Sequence, residues 1–183
     1  LQDVFDLVLL NVRVPSERRG DYMAQIAANR LGNKRLKELF KKWSKEQIEL
    51  GCSAIIDAVT RRMRSSIAEL PDGEYAFEDV LDDDGMGTEN IPVVVKIEKK
   101  GEEIWLDFDG SGPQVRGNMN NSFAGLQASV LFALKVLVDP DGPTNHGMLE
   151  PVHIKAPEGS VVNASFPAAT AARAQTCQRT VSY

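Results

Sequence analysis

The sequence predicts an α+β fold, a mixed α/β piece in which a helical N-terminal third packs on a mixed or antiparallel sheet that also carries one buried helix. Three observations predict it. Apolar residues recur with helical spacing up to Ile67, extended runs take over after the turn signal Leu70-Pro-Asp-Gly, and the later stretch Phe123 to Val138 is apolar almost all round. The expected organisation is a helical segment over 1–70 and a β-rich segment over 71–183, together one domain fragment of a longer chain, since the sequence neither begins with Met nor closes on a terminating signal.

In chain order, Val4, Phe5, Leu7, Val8 and Leu9 give a first helix over Gln2 to Leu10, which Pro15 prevents from continuing. Ser16 is the expected cap of a second helix running to Leu31, with Gly32 as its left-handed terminator, and Asn33 caps a third from Lys34 to Trp43. Ser44 and Gln47 form a capping box. Ile48, Cys52, Ile55, Ile56, Val59, Met63 and Ile67 then mark a long amphipathic helix that ends before Pro71.

Ile91 to Lys99 and Glu102 to Asp109 flank Lys100-Gly101 as a β-hairpin, with Ile104, Leu106 and Phe108 alternating against Trp105, Asp107 and Asp109. Ser122 caps the apolar helix Phe123 to Val138, and Asp139 to Gly147 is a loop. Val152 to Lys155 and Ser160 to Asn163 read as short strands, and Pro167-Ala-Ala opens a last helix.

At 183 residues, 43% of them hydrophobic, the chain can build one substantial core or two small ones. A net charge of -5 without a basic stripe argues against nucleic acid as a partner. No apolar run reaches membrane-spanning length, and Asp3 and Asp6 stand where a secretory leader carries positive charge, so the expected setting is cytoplasmic. Cys52 and Cys177 belong to no Cys-x-x-Cys pair and build neither a disulfide framework nor a zinc knuckle.

Several polar constellations could carry chemistry. Asp21, Gln25 and Asn29 are four apart and share one helix face, either a solvated face or a hydrogen-bonding row that meets a substrate or a loop. Asp107 and Asp109 share a strand face and lead into Gly110-Ser-Gly-Pro-Gln-Val-Arg-Gly-Asn-Met-Asn-Asn-Ser, which can present backbone N–H groups and amides to a polar ligand or simply make an irregular turn. It lacks the third glycine of the dinucleotide pattern, and no Gly-Lys-Ser/Thr occurs.

Asp82-Asp-Asp-Gly fails as a calcium loop, because Val80 and Ile91 fall at ligand positions, and it is expected to be a solvated turn. His146 and His153 have no carboxylate or cysteine at metal-ligand spacing, so no metal site is expected in this chain. No Gly-x-Ser-x-Gly nucleophile motif is present.

The segment Asn11-Val-Arg-Val-Pro-Ser-Glu-Arg-Arg-Gly-Asp-Tyr-Met-Ala-Gln resembles the Asn-x-Arg … Gly-Asp-x-x-Ala-Gln signature of the B subunit of ATP-dependent hydantoinases and 5-oxoprolinases. Asp107-Phe-Asp-Gly-Ser with Gly117-Asn-Met-Asn is similar to a second signature of that family. The likeness continues through Leu137-Val-Asp-Pro-Asp-Gly-Pro-Thr-Asn-His-Gly, Pro157-Glu-Gly-Ser, Pro167-Ala-Ala and Thr176-Cys-Gln-Arg, and so covers essentially the whole chain. Where many members carry cysteine or leucine after Asn-x-Gly, Met148 stands here, and His146 fills a variable position, which gives no support to a metal role for it.

The resemblance implies part of a cyclic amide hydrolase that opens hydantoin or 5-oxoproline rings with an A-type subunit, in a homo- or hetero-oligomer. That partner would bind ATP with Mg and phosphorylate the substrate's carbonyl oxygen. It implies, as alternatives, a subunit of a related ATP-dependent ketone carboxylase of the acetone or acetophenone type. Any divalent metal is then held outside this fragment, as in the carboxylases, whose His/Asp metal region lies upstream.

Carried onto matching positions, the family signatures mark Arg13, Asp21 and Asp107 as catalytic candidates and Asn11, Gln25, Ser111, Asn118, Asn120 and Asn145 as substrate-binding candidates. The rigid guanidinium fork of Arg13 suits an anionic or phosphorylated intermediate, while Asp21 or Asp107 could orient water or hold Arg13. The competing reading gives several of these residues structural roles, since aspartate and asparagine beside glycine lock loops. A non-catalytic scaffold domain is the remaining reading, motivated by the apolar helix Phe123 to Val138, which needs covering on all sides.

Overall fold

The computed structural model describes residues 2–182. In order these form α1 (Gln2–Leu9), α2 (Pro15–Leu39), α3 (Lys45–Ala68), β1 (Gly73–Asp83), β2 (Glu89–Lys100), β3 (Glu103–Asp107), α4 (Phe123–Val138), a 3-10 turn (His146–Met148), β4 (Val152–Lys155) and α5 (Arg173–Val181). They divide into two compact units, one up to Ser53 and one from Ala54, with the division inside α3.

In the first unit α1 meets α2 through Phe5, which is buried, lies 6.2 Å from the ring of Tyr22 and carries the Arg19 guanidinium 5.8 Å from its centroid. The sequence led us to expect two helices here, broken at Gly32. Instead α2 is continuous from Pro15 to Leu39. Glycine inside a helix costs about 1 kcal/mol relative to alanine, which a helix already propagating on both sides can absorb.

The expected cap at Ser16 also moves. Pro15 takes the first helical position, where its fixed φ fits and its missing N–H is no loss, and Val14 before it adopts a left-handed φ of 54° without any side-chain cap bond. For a β-branched residue that conformation is strained. The capping box of α3 forms as its spacing requires: the Ser44 N–H donates to Gln47 Oε1 at 2.9 Å and the Gln47 N–H to Ser44 Oγ at 3.2 Å.

In the second unit the strands lie in the order β1-β2-β3-β4, antiparallel through β3, with β4 parallel to β3. The hairpin closes at Lys100 opposite Glu103 around the two-residue turn Gly101-Glu102, where Gly101 takes φ 59°. Val59, Met63 and Ile67, four apart on α3, join Val93, Val95, Leu106 and Phe108 of the sheet side in one apolar core with Leu126, Val130 and Leu134 of α4. Buried Lys99 is paired in place, its Nζ donating to the Leu70 carbonyl at 2.5 Å and to Asp72 at 2.7 Å, so the hairpin tip is tied to the turn that follows α3.

Three expectations need correction in this unit. The acidic run is not simply a solvated turn: β1 extends to Asp83, paired with Glu89, and Asp84 is only 6% exposed. Segment 160–163 is no strand, because Val161 bonds singly to Gly112 and Asn121 of the loop after β3 while the Ser160 and Asn163 N–H groups bond locally, leaving only isolated bridges at Ser160. Residues 167–170 are turn and irregular backbone, with a cis bond before Pro167, and helix begins only at Arg173.

Helix α4 starts and stops where Ser122 and Asp139 place it, with Ser122 Oγ accepting the Gly125 N–H. It is apolar almost all round, yet the described residues cover one side of it. Phe132, Val136 and Leu137 remain exposed, so its burial is that of one face.

Candidate functional site

The loop between β3 and α4 is built almost wholly from side-chain locks. Ser111 acts as an extra rung for β2: its Oγ accepts the Val94 N–H at 3.0 Å and donates to the Val94 carbonyl at 3.1 Å, where a strand residue's backbone would do both. Asn120 is fully buried, with its Oδ1 accepting from the Val115 N–H and its Nδ2 within 3.0 Å of the carbonyls of Val115, Gly117 and Ala169. Every polar atom of that amide is used.

Asp84 reaches the loop from the end of β1. Its Oδ1 accepts the backbone N–H groups of Met86 and Thr88, and its Oδ2 accepts that of Gly117 at 3.0 Å. These N–H donors, Thr88 foremost, outweigh the cost of burial and bring the carboxyl pKa down to about 2. Gly117 is required at this point, because a Cβ there would lie 2.0 Å from the Asp84 carbonyl oxygen.

The same loop is fastened to two later segments. Asn121 exchanges backbone bonds with Val161 and Ala164, the Ala172 N–H donates to the Asn118 carbonyl at 2.8 Å, and Thr176 Oγ1 donates to the Met119 carbonyl at 2.5 Å. Thus Gly117-Asn-Met-Asn, Pro167-Ala-Ala and Thr176-Cys-Gln-Arg, far apart in sequence, meet at one place.

Two clefts flank α5 there. One, of about 620 Å³, is polar: Asp82 and Asp83 line it together with Asn118, Gln175, Gln178 and Arg179. Arg179 is held by Asp79 at 2.9 Å. The other, of about 960 Å³, runs between α5 and α4 and is largely apolar, with Ala128, Phe132 and Val181 beside Arg173 and Cys177.

The remaining residues marked from the sequence lie elsewhere. Asp107 pairs with Lys155 across the parallel strands at 2.8 Å and accepts the Asp109 N–H, and Lys155 first of all holds its carboxyl below the ordinary range. Asn145 caps the 3-10 turn, its Oδ1 accepting the Gly147 N–H at 2.8 Å, beside a glycine whose Cβ would meet the Ile56 carbonyl of α3 at 2.4 Å. In the first unit, exposed Asn11 donates to the Leu7 carbonyl and Arg13 is exposed. Asp21 there pairs with Arg18 at 2.7 Å, and Gln25 edges a cleft with Phe5, Tyr22 and Ile26.

Of the nine marked residues, therefore, only Asn118 lines the polar cleft, while the expected substrate contacts Ser111 and Asn120 are engaged inside the fold. No group of three or more His, Cys, Asp or Glu side chains among the described residues is placed to hold a metal ion. His146 lies 3.5 Å from Glu150, and His153 stacks on Trp105 at 5.0 Å while contacting Glu103 at 2.9 Å. No described helix is long and apolar enough to cross a membrane.

Sequence reasoning missed Asp84, Gln175, Gln178, Arg179 and Asn121. Asp84 is one of three consecutive aspartates, and no local signal separates the buried one from its solvated neighbours. Gln178 and Arg179 sit in a quoted signature whose chemistry is invisible until α5 is placed. Asn121 is fully buried with neither side-chain polar atom hydrogen-bonded among the described residues, and its Oδ1 lies 2.1 Å from where a Cβ on Gly125 would stand.

Comparison with known proteins places this arrangement. The family model described as Hydantoinase B/oxoprolinase matches residues 1–183. The beta subunit of caprolactamase from Pseudomonas jessenii is 31% identical over 169 residues, 91% of this chain and 29% of that protein. A 5-oxoprolinase from Saccharomyces cerevisiae is 32% identical over 152 residues, 81% of this chain and 12% of its own length.

The crystal structure of the ATP-dependent caprolactamase from Pseudomonas jessenii superposes on 98% of this chain and 31% of the solved one, with a TM-score of 0.86 and 28% identity. The nucleotide-free structure of acetone carboxylase shares the fold at a TM-score of 0.77 and 13% identity, over 94% of this chain and 24% of the other. The chain spans less than a third of the length of these relatives. With a family match along its whole length, the chain belongs to the hydantoinase B/oxoprolinase family.

Proposed function

We propose that this chain is part of the B component of an ATP-dependent cyclic amide hydrolase that opens a hydantoin, 5-oxoproline or lactam ring together with an A-type subunit. The observation that carries the reading is the family match over all 183 residues, supported by relatives named as a caprolactamase and a 5-oxoprolinase. The reaction joins two tasks. The partner binds ATP with Mg and activates the ring carbonyl, and the B component holds the ring and directs water to the activated carbon; any divalent metal is bound by B-component residues outside this chain.

On this reading Asn118 is a substrate contact, because it lines a ligand-sized polar cleft on a loop that cannot easily move. Arg13, with its fork of donors, suits an anionic or phosphorylated intermediate. Asp21 or Asp107 orients water or holds a basic side chain, each being already paired, with Arg18 and Lys155 respectively. Asn11, Gln25 and Asn145 stay candidate contacts. Ser111 and Asn120 position the loop rather than touch substrate.

The test is co-expression of the full B chain with its A-type neighbour, measuring ATP hydrolysis with hydantoin, 5-oxoproline and caprolactam. Ring-dependent ATP hydrolysis by the complex, absent from the B chain alone, is the expected result. A complex that hydrolyses ATP only with a ketone and bicarbonate overturns it in favour of a carboxylase.

A further inference from the structure

The polar cleft beside α5 presents three carboxamides, those of Asn118, Gln175 and Gln178, whose side chains form no hydrogen bond to other described residues. Asn118 is also preplaced. Its main-chain carbonyl accepts the Ala172 N–H at 2.8 Å, the preceding Gly117 N–H is fixed by Asp84 at 3.0 Å, and Asn120 holds the loop from inside. With the backbone held in this way, only the side chain of Asn118 has to be ordered when a ligand arrives.

The electrostatic character of the cleft narrows the ligand. Asp82 and Asp83 are exposed along it, Asp84 lies among its lining residues, and Arg179, the one cation lining it among the described residues, is engaged by Asp79 at 2.9 Å. The local field therefore disfavours a carboxylate and tolerates a neutral molecule. A ring of five to seven atoms forces its amide to be cis, which puts the N–H donor and the C=O acceptor side by side on one edge. A side-chain carboxamide carries the complementary acceptor and donor at matching separation.

We propose that this cleft binds the cis-amide edge of an uncharged cyclic amide, with Asn118 and Gln175 as contacts and Asp84 as the residue that positions Asn118. The assignment rests on the cyclic amide reading above and adds to it a place and a preference, a neutral lactam or hydantoin over the anionic 5-oxoproline.

The test uses the assembled complex of full B chain and A-type partner, with caprolactam, N-methylcaprolactam, hydantoin and 5-oxoproline as probes. Calorimetric binding without ATP and steady-state kinetics with ATP are measured in parallel. Asn118→Leu and Gln175→Met are expected to raise Kd and KM for caprolactam and hydantoin by about three- to tenfold, with kcat largely kept. The wild type should bind caprolactam more tightly than the N-methyl ring, which lacks the donor, and that preference should shrink in Asn118→Leu and in Asp84→Asn; a merely structural role would weaken both ligands alike.

Replacing Asp82 and Asp83 together by lysine should shift preference toward 5-oxoproline. Unaltered Kd, KM and N-methyl discrimination in both contact variants, with ring-dependent turnover intact, overturn the cleft assignment and leave the functional reading standing. Binding that the variants weaken, without ring-dependent ATP hydrolysis, does the reverse. A complex that binds none of the four probes overturns both.

Discussion

Two regions carry the family's signatures with the same kinds of residue and use them in opposite ways. On α2, Asp21, Gln25 and Asn29 lie four apart on a helix with no buried residue, each exposed, the aspartate paired only with Arg18 one turn away. In the loop after β3, Ser111, Asn120 and the Gly117 N–H are committed to backbone partners or to a carboxylate, and Asn120 is fully buried. Polar residue type alone thus does not tell a site from a lock; what decides is whether the surrounding backbone has orphan groups that need them. A helix satisfies its own backbone and frees its side chains, whereas a loop of irregular backbone consumes them.

The sharpest way to break that contrast is a pair of glycine substitutions. Gly117→Ala forces a Cβ against the Asp84 carbonyl at 2.0 Å and should destabilise by about 3 kcal/mol or more, seen as loss of soluble folded protein or a sharply lower Tm. Gly32→Ala, with nothing within 4 Å, should stabilise α2 by about 0.5–1 kcal/mol, read as higher helicity and Tm.

Next in size is Ser111→Ala, which removes both bonds to Val94 and should cost about 1–2 kcal/mol in denaturant unfolding, while Gln25→Ala stays within about 0.5 kcal/mol.

Acid should separate the regions as well. The Asp84 carboxyl is depressed to about 2 in the folded protein, below its unfolded value of about 3.9. Its contribution is therefore fully present above pH 4 and disappears as pH falls through 2. Thermal unfolding between pH 5 and 2 should show a steeper acid-induced fall in the wild type than in Asp84→Asn.

Much of the architecture was legible because local signals agreed with tertiary ones. Ser44 with Gln47 and Ser122 before Phe123 marked two helix starts, and Lys100-Gly101 between alternating runs marked the hairpin to within one residue. What failed did so where tertiary context overrode a local cue. Gly32 and Asn33 look like a stop followed by a start, yet a helix continues through them.

Asp84 looks solvated, yet three N–H donors surround its carboxylate. Helix α4 looks buried on all sides, yet Phe132, Val136 and Leu137 stand exposed in the described residues. In the loop after β3, only the placement of α5 separated Asn118, which faces the cleft, from Asn120 two residues on, which faces the interior.

The thermal unfolding of Asn118→Leu beside Asn120→Leu tests most directly whether the loop divides its asparagines between cleft and interior. The predicted result is a Tm within about 1–2 °C of wild type for Asn118→Leu and a fall of roughly 5–10 °C for Asn120→Leu, whose backbone partners are left unsatisfied. Equal losses in the two variants, or a larger loss at Asn118, would contradict it.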